Sequence, residues 1–147
     1  MIRGRRIAFD FGDSRIGVAV SDPDSILATP VATLTTKSVD LWDQIFQLFS
    51  EYEPTEIFVG KPVHLAGHES DSTIKAELFA REINERFDIE VTLIDERLST
   101  VSAQRKLKEA GMSSRNSKSA IDQASAVGIL EQGLEMAKAR SKRETHD

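Results

Sequence analysis

The amino-acid sequence predicts an α/β fold built on a five-stranded mixed sheet. Three apolar runs joined by short turns occupy residues 5–34, and two further apolar runs alternate with helical patterns after them. Strands joined by only a few residues must be antiparallel, whereas strands separated by a helix add to a sheet in parallel. We therefore expect three antiparallel and two parallel strands, flanked by helices. The length of 147 residues suggests one domain.

The first three predicted strands form a meander. Residues Arg5–Gly12 alternate apolar and other side chains with the period of a strand, and Ile16–Ser21 is a second run rich in β-branched residues. The few turn residues between them predict an antiparallel hairpin. A third run, Ile26–Leu34, would complete the meander, and its Pro30 predicts an edge strand because proline lacks a backbone donor. The first strand would then lie centrally in the sheet.

From residue 41 onward the apolar spacing becomes that of helices alternating with short strands. A first helix is predicted from four apolar residues at three- and four-residue spacing, namely Leu41, Ile45, Leu48 and Phe49. Ser38 or Asp40 would cap it. The elements expected after it are a strand over Glu56–Gly60, a loop over Lys61–Ser70, a helix over Ser72–Phe87, a strand over Glu90–Ile94, a helix over Thr100–Ala110 and a last helix over Ser119–Ala137. We expect one folded domain over residues 1–137 and a disordered polar tail over residues 138–147.

The composition excludes several classes of protein. The chain has no cysteine, which rules out a disulfide scaffold, a thiolate zinc site, an iron–sulfur centre and a cysteine nucleophile. No segment approaches the roughly 18 apolar residues of a membrane-spanning helix. The N-terminal residues lack the apolar stretch and cleavage site of a signal peptide. We therefore expect a cytoplasmic protein with no membrane partner.

Acidic residues stand where two predicted strands end. Asp10 lies within the first strand, on the face opposite Ile7 and Phe9, where an acid is uncommon and costly to bury unpaired. It either caps the following turn or serves as a metal ligand or general base. Asp95 and Glu96 follow the last strand, at the edge where ligands bind in open α/β sheets. Alternation points these two acids to opposite faces, although both could instead cap the next helix.

Asp122 is the third acid of interest. It completes the pattern SAID, a capping box in which Ser119 would be the N-cap of the last helix. Alternatively, Asp122 joins Asp10 and Glu96 at one edge of the sheet, where three carboxylates would repel one another unless cations bound them. Oxygen-only ligands suit Mg²⁺ or Mn²⁺. Two such ions about 4 Å apart are a known arrangement for phosphodiester hydrolysis.

Four segments of the chain carry a family resemblance. They are DFGDSRIGVAVSD, VGKPVHLAGHES, IDERLSTVSAQRKL and SAIDQASAVGIL. In this order and spacing they resemble the YqgF family of Holliday-junction-resolvase-like nucleases, also described as pre-16S rRNA nucleases. The resemblance runs over nearly the whole predicted domain. It implies a ribonuclease-H-like fold and a metal-dependent nuclease that trims the 5′ end of precursor 16S rRNA.

By motif position, the resemblance implies an acidic site of Asp10, Glu96 and Asp122. In a two-metal site Asp10 would bridge both ions, Glu96 would hold one and Asp122 the other. The chain departs from the family in one loop, where Lys61 stands in place of an apolar residue and residues 68–70 in place of a glycine-rich end. The departure leaves the three acids intact and concerns the contacts of that loop with substrate.

The net charge of −5, from 19 basic and 24 acidic residues, by itself argues against a nucleic-acid partner. The acid excess lies in residues 22–96, however, where five basic and 16 acidic residues give −11, while residues 97–118 carry six basic residues and one acidic residue. The basic residues that adjoin the acids in sequence are the candidates for nucleic-acid binding: Arg15, Arg97, Arg105, Lys106, Arg115 and Lys118. Salt screens charges beyond about 8 Å, so a locally positive region can still attract phosphates. Arg15 could instead be a solvated hairpin residue, and Arg97 could form a surface salt bridge.

Three other functions compete with an rRNA nuclease. The first is a junction resolvase acting on branched DNA, which would need a dimer to make paired cuts. The second is a protein that binds nucleic acid without cutting it. The third follows from the hairpin at residues 10–22, which also resembles the phosphate-binding hairpin of actin-like ATPases, but a 147-residue chain has no room for the second domain of those enzymes. The sequence contains no long apolar heptad pattern, which favours a monomer.

Overall fold

The structure, a computed structural model, describes residues 3–62, 71–96 and 115–146, and within the last of these ranges it describes side chains for residues 122–143. The described residues form five strands: β1 Arg6–Phe11, β2 Arg15–Ser21, β3 Ala28–Thr35, β4 Glu56–Lys61 and β5 Val91–Asp95. Its described helices are α1 Leu41–Tyr52, α2 Asp71–Phe87 and α3 Arg115–His146. The helix predicted over Thr100–Ala110 lies outside the described residues.

The five strands form one mixed sheet in the order β3-β2-β1-β4-β5. The meander β1-β2-β3 is antiparallel, and β4 and β5 are added in parallel on the other side of β1. This confirms the predicted sheet with its central first strand. β3 lies at the edge, as Pro30 predicted, and the register between β2 and β3 shifts between Val18 and Ala19, next to the pairing of Ala19 with Pro30.

The alternation along β1 divides the core between the two faces of the sheet. Ile7 and Phe9 point to one face and pack with buried residues of α1 and α2, including Ile45 and Ile83. Ala8 points to the other face, which α3 covers with a set of buried apolar side chains: Ala126, Ile129, Leu130, Leu134 and Ala137. Because side chains alternate along a strand, Asp10 falls on the α3 face together with Ala8. The acid predicted to be unusual in the first strand therefore lies beneath α3.

Helix α3 corrects two sequence-based expectations. It begins at Arg115, so Ser119 lies inside the helix and cannot be its N-cap, and the capping-box interpretation of Asp122 is wrong. It also continues to His146, so the segment expected as a disordered tail forms the last turns of the helix. That segment is rich in Lys, Arg, Ala and Glu, which favour helices wherever the turns face solvent. Polar composition alone did not distinguish an exposed helix from an unstructured tail.

A buried ion pair ties the amino-terminal edge of the sheet to α3. Glu56 at the start of β4 accepts hydrogen bonds from Arg6 Nε at 3.0 Å and from Thr92 Oγ1 at 2.9 Å. Arg140 on α3 approaches the same carboxylate at 3.3 Å. The guanidinium of Arg6 also donates to Ser25 Oγ at 3.0 Å. Each polar group of this cluster is thus satisfied within the protein, as buried charges require.

No helix in the described part of the chain is both long enough and apolar enough to cross a membrane.

Candidate active site

Asp10 is the best-buried acid at the carboxyl-terminal end of the central strands. It is the fifth residue of β1, only 7% exposed, and lies opposite Gly17 of β2. Residues directly opposite on antiparallel strands point to the same face, so Asp10 and Gly17 both face α3. The structure therefore places Asp10 inside the strand and does not place it at the turn, where it would act as a cap.

Glu96 lies on the same face as Asp10. It follows β5 directly and is 8% exposed. A Cβ atom placed on Gly60 would lie 3.4 Å from Glu96 Oε1, so this carboxylate sits over the end of β4. The parallel pairing of Phe9 with Val59 brings Asp10 and Gly60 side by side at the next position. Asp10 and Glu96 thus lie on either side of Gly60, and the side chain of Ile129 from α3 packs against this glycine.

The structure also shows how Glu96, which the motif position selects, differs from its neighbour Asp95. Asp95 pairs in register with Lys61, the last residue of β4. The Lys61 ammonium lies 3.0 Å from Glu77 Oε1 on α2, so the side chain of Lys61 points to the opposite face of the sheet from Asp10. Glu96, one residue after Asp95, reaches the α3 face, as the alternation along the strand predicted.

Asp122 lies on α3 above the β1–β2 hairpin. A Cβ atom on Gly17 would overlap the main-chain carbonyl of Asp122, so a glycine at this position allows the helix to lie directly on β2. A glycine inside a strand weakens the strand, and a close approach of another main chain is the usual reason for it. The Asp122 carboxylate accepts a 2.6 Å hydrogen bond from Arg15 Nε. Next to it, Gln123 Nε2 donates to Thr33 Oγ1 at 3.0 Å, which fixes the same turn of the helix on β3.

The described residues fit a divalent cation through two of the three predicted acids. Among residues 3–62, 71–96 and 115–146, no three His, Cys, Asp or Glu side chains are grouped closely enough to hold one ion. The Asp122 carboxylate instead bonds to Arg15. Mg²⁺, however, commonly binds through one or two carboxylates and completes its shell with water and substrate phosphates. The buried, oxygen-only pair of Asp10 and Glu96 meets that requirement.

Two lysines that the sequence analysis did not assign as phosphate-binding residues lie at the same edge of the sheet. Lys75 of α2 approaches Asp13 Oδ1 at 3.0 Å, and Asp13 belongs to the turn that follows β1. The hydrogen bond and charge of Asp13, with a contribution from Asp71, raise the pKa of Lys75 above its usual value. The other lysine is Lys61, directly after Gly60. The position of α2 in the chain could have indicated both lysines, because a helix that follows β4 must start near the carboxyl edge of the sheet.

The predicted nucleic-acid-binding residues are only partly placed. Arg15 lies at the site, bonded to Asp122. Three others, Arg97, Arg105 and Lys106, fall outside the described residues. Arg115 and Lys118 belong to the first two turns of α3, where Lys118 precedes Asp122 by about one helical turn. Of the loop that departs from the family pattern, Lys61 and Pro62 are described and residues 63–70 are not.

Comparisons with known proteins cover almost the whole chain. A family model described as "RuvX: Holliday junction resolvase" matches residues 4–136. A Streptomyces avermitilis protein named "Putative pre-16S rRNA nuclease" is 45% identical over 144 residues, which span 97% of this chain and 92% of the relative. A protein of the same name from Streptomyces coelicolor is 47% identical over 137 residues, spanning 92% of this chain and 82% of the relative.

Solved structures share the fold at much lower sequence identity. The Thermus thermophilus RuvC structure superposes with a TM-score of 0.55 at 12% identity and covers 92% of this chain and 96% of RuvC. The complex of the same RuvC with a Holliday junction substrate gives a TM-score of 0.57 at 10% identity, with the same coverage. This likeness confirms the predicted ribonuclease-H-like fold.

Proposed function

The chain belongs to the family described as RuvX, Holliday junction resolvase, and from that membership we propose that it is a metal-dependent nuclease that processes the 5′ end of precursor 16S rRNA. Precursor 16S rRNA is chosen as the substrate because two relatives carry that name. They are 45–47% identical to this chain, and the matched region covers 82–92% of each relative. The proposal assigns to this chain the hydrolysis of phosphodiester bonds during ribosome biogenesis.

The observation that carries the proposal is the pair of buried carboxylates, Asp10 and Glu96, on either side of Gly60. Two acids at the ends of β1 and β5, with only β4 between them, are costly to bury together because like charges repel each other. A bound cation offsets that cost. The position also fits a binding site, since ligands of open α/β sheets bind at the carboxyl ends of the strands.

In the proposed mechanism Asp10 and Glu96 would be the residues that hold a divalent cation, Mg²⁺ or Mn²⁺. The cation would supply Lewis-acid stabilisation of the charge that develops at the scissile phosphate. Asp122 would hold a second ion when its carboxylate leaves Arg15. Arg15 would then be available to donate hydrogen bonds to a phosphate of the substrate. The basic residues Arg97, Arg105, Lys106, Arg115 and Lys118 would contact the rest of the backbone.

Cleavage of branched DNA is the second candidate, favoured by the description of the matching family. A resolvase makes paired cuts and therefore needs two sites held in a dimer, whereas trimming an RNA end needs one site. We propose a monomer, which a sedimentation measurement would test. An enzyme that acts on precursor rRNA works where ribosomes are assembled, so we place it in the cytoplasm.

The decisive experiment incubates the purified chain with a precursor 16S rRNA fragment and with a four-way DNA junction, each in Mn²⁺ and in EDTA. We expect Mn²⁺-dependent cleavage of the RNA. Asp10→Asn should abolish cleavage while leaving the fold intact, because it removes a charged ligand without changing the side-chain size. Asp43→Asn, which makes the same change at an exposed position of α1, is the matched control and should retain full activity.

The other outcomes each reject part of the proposal. Full activity of a folded Asp10→Asn variant would refute the site. Cleavage of the junction alone would replace the rRNA substrate with branched DNA. Tight binding of RNA without cleavage under any metal would make the chain a binding protein.

A further inference from the structure

We propose that Lys61 and Lys75 are phosphate-binding residues that are held ready in exchangeable ion pairs beside the candidate active site. The inference rests on the proposed nuclease function and adds to it the residues that hold the substrate backbone on the α2 side of the site. It is carried by two ion pairs, by their positions relative to Asp10 and Gly60, and by their exposure.

The first pair joins α2 to the turn after β1. Lys75 Nζ lies 3.0 Å from Asp13 Oδ1, and Asp13 is three residues beyond Asp10. The two side chains are 52% and 62% exposed. An incoming phosphate can therefore reach the ammonium without displacing any part of the core.

The second pair lies at the end of β4. Lys61 directly follows Gly60, the residue between the two buried acids, and its Nζ lies 3.0 Å from Glu77 Oε1. Both side chains are 30% exposed. Lys61 and Lys75 both contact partners on the α1–α2 side, whereas Arg15 and Asp122 lie on the α3 side. Cations are thus present on both sides of the edge that carries Asp10 and Glu96, so a backbone that crosses this edge meets a cation on each side.

The energetics of these pairs favour exchange. An exposed ion pair contributes little to stability, because water and salt already screen its charges. A phosphate replaces the carboxylate with an equivalent acceptor and also releases counterions from the nucleic acid, which is a favourable term. The contrast is with Arg6 and Glu56 at the opposite edge of the sheet, whose side chains are 10% and 3% exposed and make further buried hydrogen bonds. The pairs beside the candidate site are less buried, so a phosphate can compete with the carboxylate for each lysine.

These pairs also show how an acidic protein can bind a polyanion. Residues 22–96 contain only five basic residues, and Lys61 and Lys75 are two of them. Their partners Asp13 and Glu77 neutralise the two lysines until a phosphate arrives. A phosphate that does not reach the lysines meets the acids and is repelled. We therefore expect binding that is selective and strongly dependent on salt.

The test exploits the fact that the two members of a pair should act in opposite directions. Binding of a short fluorescein-labelled single-stranded RNA is measured by fluorescence anisotropy in EDTA over a series of salt concentrations. Lys75→Gln and Lys61→Gln should each weaken binding and lower the slope of log K against log salt by about 0.7. A slope lower by 0.7 means that the variant gains about fivefold less affinity than the unaltered chain when the salt concentration falls from 1 M to 0.1 M. Asp13→Asn and Glu77→Gln should instead tighten binding, because they free the lysine and remove a repulsive charge.

Matched controls come from the same helix. Arg86 and Glu82 form an exposed ion pair of 2.7 Å one turn apart on α2, and Arg86→Gln and Glu82→Gln should leave both affinity and slope unchanged. Lys75→Arg and Lys61→Arg keep the charge and should retain binding. These arginine variants also test the proposal if a glutamine variant fails to fold.

The outcomes separate this inference from the proposed function. If the unaltered chain binds RNA but the lysine and acid variants of a pair weaken binding alike, or leave it unchanged, the inference is wrong and the nuclease proposal stands. If the unaltered chain neither binds nor cleaves RNA, both fail. Opposite shifts within each pair, with flat controls, establish the two lysines as phosphate contacts.

Discussion

Arg15 Nε donates a 2.6 Å hydrogen bond to Asp122 Oδ2, across 107 residues of sequence. Two residues beyond Arg15, Gly17 lies directly beneath the Asp122 carbonyl. The hairpin therefore holds both the main chain and the side chain of the same helical residue. This contact couples the basic residue that the sequence predicted for phosphate binding to the acid that it predicted for metal binding.

We predict that Arg15→Gln binds Mn²⁺ about two- to fivefold more tightly than the unaltered chain. If Asp122 is a metal ligand, the cation has to compete with Arg15 for its carboxylate. The expected gain corresponds to the usual contribution of an exposed ion pair. Isothermal titration calorimetry with Mn²⁺ alone measures the effect without recourse to activity.

The gain in Mn²⁺ affinity should depend on Asp122. In an Asp122→Asn background the Arg15→Gln substitution should change the affinity much less, because the competing ion pair is already broken. Arg86→Gln removes the same charge at a distant exposed position and controls for the overall electrostatic effect. Equal gains in both backgrounds would show that Arg15 acts by repulsion through space and not by holding Asp122.

Gly17→Ala should destabilise the fold by about 1–3 kcal/mol, the usual cost of overpacking. The added methyl group would overlap the Asp122 carbonyl, and a main chain held by a helix cannot move aside locally. Gly60→Ala is the comparison, since its Cβ would meet the end of the Ile129 side chain, which can rotate. Urea unfolding followed by circular dichroism should rank Gly17→Ala as the more damaging change. The reverse order would contradict the close approach of α3 to β2.

Asp22 should make the stability depend on pH in the acid range. The main-chain N–H groups of Leu27 and Ile26 donate to its carboxylate at 2.9 and 2.7 Å, and these hydrogen bonds lower the pKa of Asp22 below its usual 3.8. Because the folded pKa is the lower one, the ionised group stabilises the fold above the unfolded pKa. That stabilisation is lost as the pH falls through the folded pKa.

The free energy of unfolding of Asp22→Asn should therefore fall less steeply than that of the unaltered chain as the pH drops from about 5 to below 3.8. Urea unfolding over a pH series measures this difference. Asp43→Asn, which removes an exposed charge on α1, is the control and should follow the unaltered chain. Parallel curves for Asp22→Asn and the unaltered chain would refute the role of these hydrogen bonds.

Glu56→Ala should cost about 3–5 kcal/mol, because it leaves the buried Arg6 guanidinium without its carboxylate partner. Arg140→Ala should cost only up to about 1 kcal/mol, since the side chain of Arg140 is 43% exposed and Arg6 still satisfies Glu56. Unfolding in urea provides both values. Similar costs for the two variants would mean that the cluster stabilises mainly the end of α3 and not the edge of the sheet.

Much of the fold followed from local patterns. Alternation along residues 5–12 indicated a strand and placed Asp10 on the face opposite Ile7 and Phe9, which the structure confirms. Pro30 predicted the edge position of β3 because a missing N–H group can only be tolerated there. Both ends of α3 were predicted wrongly. Residues 115–118 and 138–146 are helical but carry no apolar stripe, so no periodicity in the sequence indicated that the helix extends over them.

The sequence by itself determined the sheet, its central strand, and the face of the sheet that carries Asp10, because side-chain period and chain connectivity are local properties. Only the tertiary structure decided the partners: Glu96 and not Asp95 beside Gly60, Arg15 on Asp122, and Lys75 on Asp13. Each of these contacts joins elements far apart in the chain. Their geometry depends on strand register and on how closely a helix approaches the sheet, and no window of sequence contains both.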